Sequence, residues 1–465
     1  MRQFKTRESY SGQTFRTGIH YFVGNDEGTT RRLSTAFLTG GEDVKKTQSY
    51  AKKAMMLSVI PGLGQFYNRQ KIKGALFFFF FAMYIVVFKD LFNMGLWGIA
   101  TLGVEVPRDN SIFLLAEGLV ALIVIGFGLL FYYLNLRDAY KNGELRDNEL
   151  QVNSIRESYQ ALLSEGYPYL MSSPAFFLLV FSVIFPILFS IALAFTNYDL
   201  YHSAPANLAD WVGLETFKKI FTVDIWRSTF FNVLGWTVIW TLIASTLQVS
   251  IGIFLAVIVH QKELRFKKFF RTILILPWAV PGFVTILVFS GMFNDSFGAI
   301  NNSILNFFQI SPIPWLTSAN WTRLALLVIQ GWLGFPYIFI VTTGTLQSIP
   351  NDLYEAATID GASAMQKFRR ITLPLLLYAM APILITQYTF NFNNFNIIYL
   401  FNSGGPAVPG STAGGTDILV SWIYKLTMQN SQYALAAALT ILLSIVVIAI
   451  ALWQFRRTNS FKEVG

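Results

Sequence analysis

Four carboxamides fall within eight residues of an otherwise apolar stretch: Gln387, Asn391, Asn393 and Asn394, interleaved with Phe390 and Phe392. Gln387, Phe390, Asn391 and Asn394 stand at i, i+3, i+4 and i+7, so a helix would carry them on one face. An amide in apolar surroundings is costly unless it is hydrogen-bonded. Two kinds of partner would serve. One is a sugar, whose hydroxyls bond to the amides while an aromatic ring covers its C–H face. The other is a neighbouring helix, held by the same amides. A second group lies upstream, Trp332-Leu333-Gly334-Phe335-Pro336-Tyr337. Pro336 predicts a kinked helix with Gly334 leaving room at the kink. That combination suits the wall of a transport cavity, and simple packing would also produce it.

Between these groups runs a polar segment, 347–374, which contains Glu355-Ala356-Ala357, Asp360-Gly361 and Ile371-Thr372-Leu373-Pro374. Pro350-Asn351-Asp352 predicts the end of one helix and the start of another, with Asp352 as cap and Glu355 at the third position. Gly361 permits the positive φ of a sharp break. A second short helix over 362–370 then leads to Pro374, a residue suited to the first turn of a helix. The product is a helix–turn–helix knob. Ala356 and Ala357 let it pack closely in a groove of another protein.

The elements that must position these groups follow from composition. Of 465 residues, 54% are hydrophobic and 13% charged, about half the charged share of a soluble domain. Eight apolar stretches approach or exceed the roughly 20 residues that a helix needs to cross a bilayer: 74–93, 111–135, 172–196, 230–259, 272–294, 321–346, 373–400 and 433–455. The fold class is therefore an all-α integral membrane protein with about eight transmembrane helices. Segments 1–73, 136–171, 260–271, 347–372 and 456–465 hold 28 of the 35 Lys and Arg residues. By the positive-inside rule these segments are cytoplasmic, both termini included, in a multi-pass protein of the cell membrane. The 347–374 loop then faces the cytoplasm. No secretory signal precedes the first span. Cytoplasmic loops beside anionic lipid account for the net charge of +9 without nucleic acid. The organisation is a cytoplasmic segment 1–73 with a short apolar interfacial element at 54–67, two helices and a linker over 74–171, and a core over 172–460.

No enzyme chemistry is legible. The chain has no Cys and three scattered His, which leaves little for a metal site. No Gly is followed by Lys, so ATP cannot be held by a phosphate loop. Glu117 is the clearest acid within a span, and it has no evident cationic partner in the sequence. An ion-coupled secondary transporter is the alternative class, and the lack of a network of buried charged residues counts against it.

The 347–374 loop resembles the EAA motif of ABC importer permeases at Glu355, Ala356, Ala357, Asp360, Gly361, Ile371, Leu373 and Pro374. The resemblance covers about residues 170–460 and implies the type I importer permease fold. In that family the loop is a coupling element docked on a cytoplasmic ATPase, which binds ATP and Mg, so no cofactor belongs to this chain. Together with Trp332–Tyr337, Phe390–Phe395 and Asn402-Ser-Gly-Gly-Pro406, the loop is similar to maltose/maltodextrin permeases of the MalF type. That likeness implies sugar contacts at Leu333, Gly334, Tyr337, Phe390, Asn391 and Asn394, with Gln387 at a further position where Ser is usual. Gly282 also stands where a Ser contact is expected. The implied partners are a second homologous permease subunit, two ATPase copies, an extracellular sugar-binding lipoprotein, maltodextrin and membrane lipid. The short 197–229 loop resembles the Gram-positive form.

Overall fold

The computed structural model describes residues 49–261 and 263–457. The first 48 residues of the expected 1–73 segment, Lys262 and the last eight residues lie outside the described residues. Among the described residues the chain forms helices and loops, and its extended pairings are two isolated bridges, Thr196 with Trp211 and Ala407 with Gly414. Six helical stretches are long and apolar enough to cross a bilayer: Lys71–Thr101, Ser111–Asp147, Tyr167–Ala194, Asp224–His260, Ala319–Ser348 and Ala364–Asn402. A bent pair, Lys267–Ala279 with Gly282–Met292, and a shorter apolar helix, Tyr433–Ala449, correspond to the other two expected stretches.

In chain order, α1 (Tyr50–Leu57) and α2 (Leu63–Tyr67) precede α3 (Lys71–Thr101) and α4 (Ser111–Asp147). The amphipathic α5 (Ile155–Ser164) leads to α6 (Tyr167–Leu179) and α7 (Phe185–Ala194), which are joined by a π-turn. Then come α8 (Glu215–Thr222), α9 (Asp224–His260), α10 (Lys267–Ile275), α11 (Gly282–Met292) and α12 (Ala319–Ser348). The 347–374 loop holds α13 (Asn351–Ile359) and α14 (Ala364–Lys367). The chain continues through α15 (Leu373–Phe392), α16 (Phe395–Asn402), α17 (Leu419–Met428) and α18 (Tyr433–Arg457).

The expected continuous span over 272–294 is corrected: its two halves meet at 86°. Two prolines account for the break. Pro277 lies in a 3-10 turn, and Val280, ahead of Pro281, is extended at φ −98°, ψ 131°. A residue before proline is driven out of the helical region by clash with the ring. Pro336 lies inside α12, which is continuous from Ala319 to Ser348.

The 54–67 element is two short helices, interrupted as expected at Pro61-Gly62, where Gly62 has φ 93°. Polar groups of α4 hold the hairpin. Asn135 Nδ2 donates to the Ser58 carbonyl (2.9 Å), Gly62 N–H donates to Asn135 Oδ1 (3.2 Å), and Asn68 Nδ2 donates to the Ala139 carbonyl (2.8 Å). This explains why α4 outruns its apolar stretch by 12 residues, since its polar end is an anchor. Met56, Val59 and Ile60 on the hairpin are exposed.

At the centre, α9 packs along α12. Trp240, Ile329, Ile397 and Ile398 form one apolar cluster, and Ala256, Ile338, Leu346 and Leu376 form another. Lipid tails are as apolar as these side chains, so close contact rather than water exclusion must hold the helices together. Gly252 permits that contact, because a Cβ there would lie 2.6 Å from the Ile338 Cβ.

Candidate functional site

α11, α12, α15, the start of α16 and the break before α11 line a half-open cavity of about 690 Å³. Leu333, Gly334 and Tyr337 of α12, Gln387 and Phe390 of α15, and Asn394 just past α15 all line it. Six of the seven expected contact residues are thus brought together. Gly282, the first residue of α11, lies in the same wall beside Trp278 and Phe283. The Trp278 and Tyr337 rings stack with centroids 5.6 Å apart and planes inclined by 26°. Phe390 is 58% exposed, a ring free to lie against a ligand. The cavity therefore combines amide donors and acceptors with aromatic faces. Among the described residues no group of three or more His, Cys, Asp or Glu side chains could hold a metal.

Asn391 is placed differently from its expectation. It is fully buried and absent from the cavity wall. Its Nδ2 donates to Ser245 Oγ (2.9 Å), and its carbonyl accepts from Trp240 Nε1 (3.0 Å), both on α9. Successive helical residues lie about 100° apart. Asn391 therefore takes the α9 edge of the shared face, while Phe390 takes the cavity edge. The two readings of these amides divide between them: Asn391 joins helices, and Gln387 and Asn394 face the cavity.

Gln330 also lines the cavity and was missed in the sequence. It accepts at Oε1 from Asn394 Nδ2 (3.1 Å) and donates from Nε2 to Gln248 Oε1 (3.2 Å). The available signal was a glutamine at i−4 from Gly334 in an apolar helix. Gln248 of α9 is a second buried amide in an apolar span.

The 347–374 loop connects the two helices that carry most of this wall. α12 leads through Pro350 into α13, and α14 continues through a π-turn (Phe368–Thr372) into α15. Gly361 has φ +75°, as expected. The expected cap is corrected. Asp352 lies inside α13, whose N-cap is Pro350 with no side-chain bond, because the extended conformation at Pro350 starts the helix two residues earlier. The capping box in the loop is instead Ser363 with Gln366. Tyr354 Oη and Thr372 Oγ1 are 2.9 Å apart, and Lys367 Nζ donates to Thr358 Oγ1 (2.7 Å), so the knob is braced internally. Glu355, Ala356, Asp360, Gly361 and Pro374 are exposed, whereas Ala357, Ile371 and Leu373 are half-buried. Ile359 is 88% exposed at the tip.

The sequence profile of the binding-protein-dependent transport system inner membrane component family matches residues 248–460. The chain is 73% identical over 410 residues to the galactooligosaccharides transport system permease protein GanP of Bacillus subtilis, covering 88% of this chain and 98% of the relative. It is 48% identical over 430 residues to the maltodextrin transport system permease protein MalC of Streptococcus pneumoniae, covering 90% and 98%. A crystal structure of a bacterial ABC transporter that imports alginate has a similar fold, with TM-score 0.54 and 21% identity over 65% of this chain and 98% of that one. The chain belongs to the binding-protein-dependent transport system inner membrane component family, the multi-pass permease subunits of ABC importers, in which a separate subunit hydrolyses ATP.

Proposed function

We propose that this chain forms one half of the translocation path for a neutral oligosaccharide. The observation that carries the reading is the cavity at α11, α12 and α15, where Gln387, Asn394 and Gln330 stand beside Tyr337, Trp278 and Phe390 without a charged group in the wall. Such a surface recognises hydroxyls and C–H faces. It offers no opposite charge to pair with an ionic substrate. α12 and α15 run directly into the exposed loop, so displacement of the loop moves the two helices that hold the sugar. In this reading the loop faces the cytoplasm and docks on one of two ATPase subunits, which bind ATP and Mg. A second homologous permease completes the path, and an extracellular sugar-binding lipoprotein delivers the substrate. Alternating access requires only that the two conformations differ in their affinity for these ligands.

A galacto-oligosaccharide is the preferred substrate class. The relative at 73% identity is named for it. In addition, Gly282 and Gln387, the two departures from the maltodextrin pattern, both line the cavity. Maltodextrin is the second reading, favoured by the relatives at 48–49% identity and by the remaining matched positions. The test is uptake of labelled galactotriose and maltotriose into proteoliposomes holding the full complex. ATP-dependent uptake of galactotriose at the lower KM supports the first reading, and the reverse order supports the second. Uptake that proceeds without the ATPase subunits and follows a proton gradient refutes both.

A further inference from the structure

α3 and α4 run side by side, and their contacts fix the register between them. Lys73 Nζ lies 2.5 Å from Asp138 Oδ1, and Tyr84 Oη donates to the Val124 carbonyl (2.7 Å). Near the other end, a Cβ on Gly98 would lie 3.1 Å from the Leu114 Cβ. The helices are antiparallel with the same rise per residue, so the apolar stretch 111–135 of α4 stands opposite roughly 77–101 of α3. Lys89 and Asp90 therefore lie near the middle of the bilayer rather than at the end of the 74–93 stretch. Both are exposed, and neither side chain has a partner among the described residues. Adjacent residues of a helix do not face each other, so the two cannot neutralise one another. Unpaired charges at this depth are costly, and in membrane proteins they are almost always turned toward a partner.

Their direction is defined by the α4 contact. Gly95 and Gly98 are buried and mark the face of α3 that packs on α4. At about 100° per residue, Lys89, Asp90 and Asn93 lie on the opposite face, with Phe79 and Val86 exposed on the same side. The cavity is lined from α11, α12, α15 and α16, so this face is no part of it. Phe79, Val86 and Asn93 recur every seven residues, and Ala82, Lys89 and Leu96 follow each of them three residues on. That is the pattern of a helix–helix seam.

We propose that this face of α3 pairs with α3 of a second copy of this chain, so that two importers stand side by side in the membrane. In a parallel pair, the side chain at 89 enters a hole bounded by positions 86, 89, 90 and 93 of the facing helix. Lys89 of one copy then meets Asp90 and Asn93 of the other. A two-fold axis along the membrane normal repeats the contact in reverse and gives two ion pairs. One cation and one carboxylate side by side at one depth are complementary to themselves. A different helix would have to supply both charges in the opposite order. The contact lies outside the cavity and holds whatever the cavity carries.

The chain has no Cys, so Val86→Cys introduces a single thiol on the seam. The complete complex, with partner subunits that lack thiols, is reconstituted in liposomes at low protein density and treated with a short bifunctional thiol reagent. Val86→Cys should join two copies of this chain, identified by mass spectrometry. Leu122→Cys, at an exposed position of α4 at the same depth, should give no such product. Lys89→Asp sets carboxylates against one another in the Val86→Cys background and should lower the yield at least about tenfold, while adding Asp90→Lys restores opposite charges and should return it to within about twofold. Failure of the double change to recover the yield overturns the proposal. So does capture of another subunit by Val86→Cys, or an equal yield from Leu122→Cys. Should Lys89→Asp not insert, Lys89→Gln and Asp90→Asn each leave one charge uncompensated, and unchanged yields in both are equally fatal.

Discussion

Gly334→Ala adds one carbon to a helix interior, where alanine ordinarily gains about 0.5–1 kcal/mol over glycine. Here the new Cβ would fall 1.7 Å from Gln248 Oε1, 2.6 Å from its Cδ and 3.1 Å from its Cβ. The clash involves most of the Gln248 side chain, which is fully buried and has no solvent to move into. Relief requires a poor rotamer or a separation of α9 from α12, and overpacking of this kind costs about 1–3 kcal/mol. Displaced Gln248 also loses its bond with Gln330, worth about 1 kcal/mol. After subtracting the propensity gain, the net destabilisation is about 1–3 kcal/mol. Gly344→Ala supplies the control. It lies on the same helix, is exposed, and would have no atom within 4 Å of its Cβ, so it should gain the full propensity term. Equilibrium unfolding of the purified chain in mixed micelles compares the two variants, and sugar uptake follows in the reconstituted complex. Gly334→Ala should be the less stable by roughly 2–4 kcal/mol and should show a raised KM. If the two variants unfold alike, the close approach of Gln248 to α12 is wrong, and with it the reason for a glycine at 334.

Gly361→Ala should cost only the left-handed backbone term, about 1–2 kcal/mol, because nothing lies within 4 Å of an added Cβ; uptake falls moderately. Gly361→Pro should abolish uptake while membrane insertion, read by fractionation, persists. Asp417, completely buried, accepts from Lys425 Nζ (2.6 Å), Gly414 N–H (2.7 Å) and Ser421 Oγ (2.8 Å). Asp417→Ala leaves the Lys425 charge unpaired and should cost about 3–5 kcal/mol, with much of this recovered when Lys425→Met is added, as measured by equilibrium unfolding. Asn135→Ala removes an acceptor from Gly62 N–H and a donor from the Ser58 carbonyl. Hydrogen exchange at Gly62 should accelerate at least about fivefold, with little change in α9 or α12.

The long apolar stretches were legible because span length and apolarity are local properties of the chain. So was the loop, because Gly361 and the small residues around it answer to backbone geometry within a few positions. Position on the shared face of α15 was less accessible. Spacing places Gln387, Phe390, Asn391 and Asn394 within one arc, but it does not tell which edge meets a neighbouring helix. That was decided by Trp240 and Ser245, more than 140 residues earlier. The same long-range dependence hid Gln330 and Gln248, single amides in apolar spans that carry no motif. It also changes what Gly334 means. In the sequence it reads as room for a kink or a substrate; in the fold its missing Cβ is filled by Gln248, whose amide leads back through Gln330 to Asn394. A glycine that lines the cavity on one side and makes space for a buried amide on the other links recognition of the sugar to the α9–α12 contact. A substitution at 334 should therefore alter selectivity and helix packing together, and one that altered either alone would separate the two roles assigned to it.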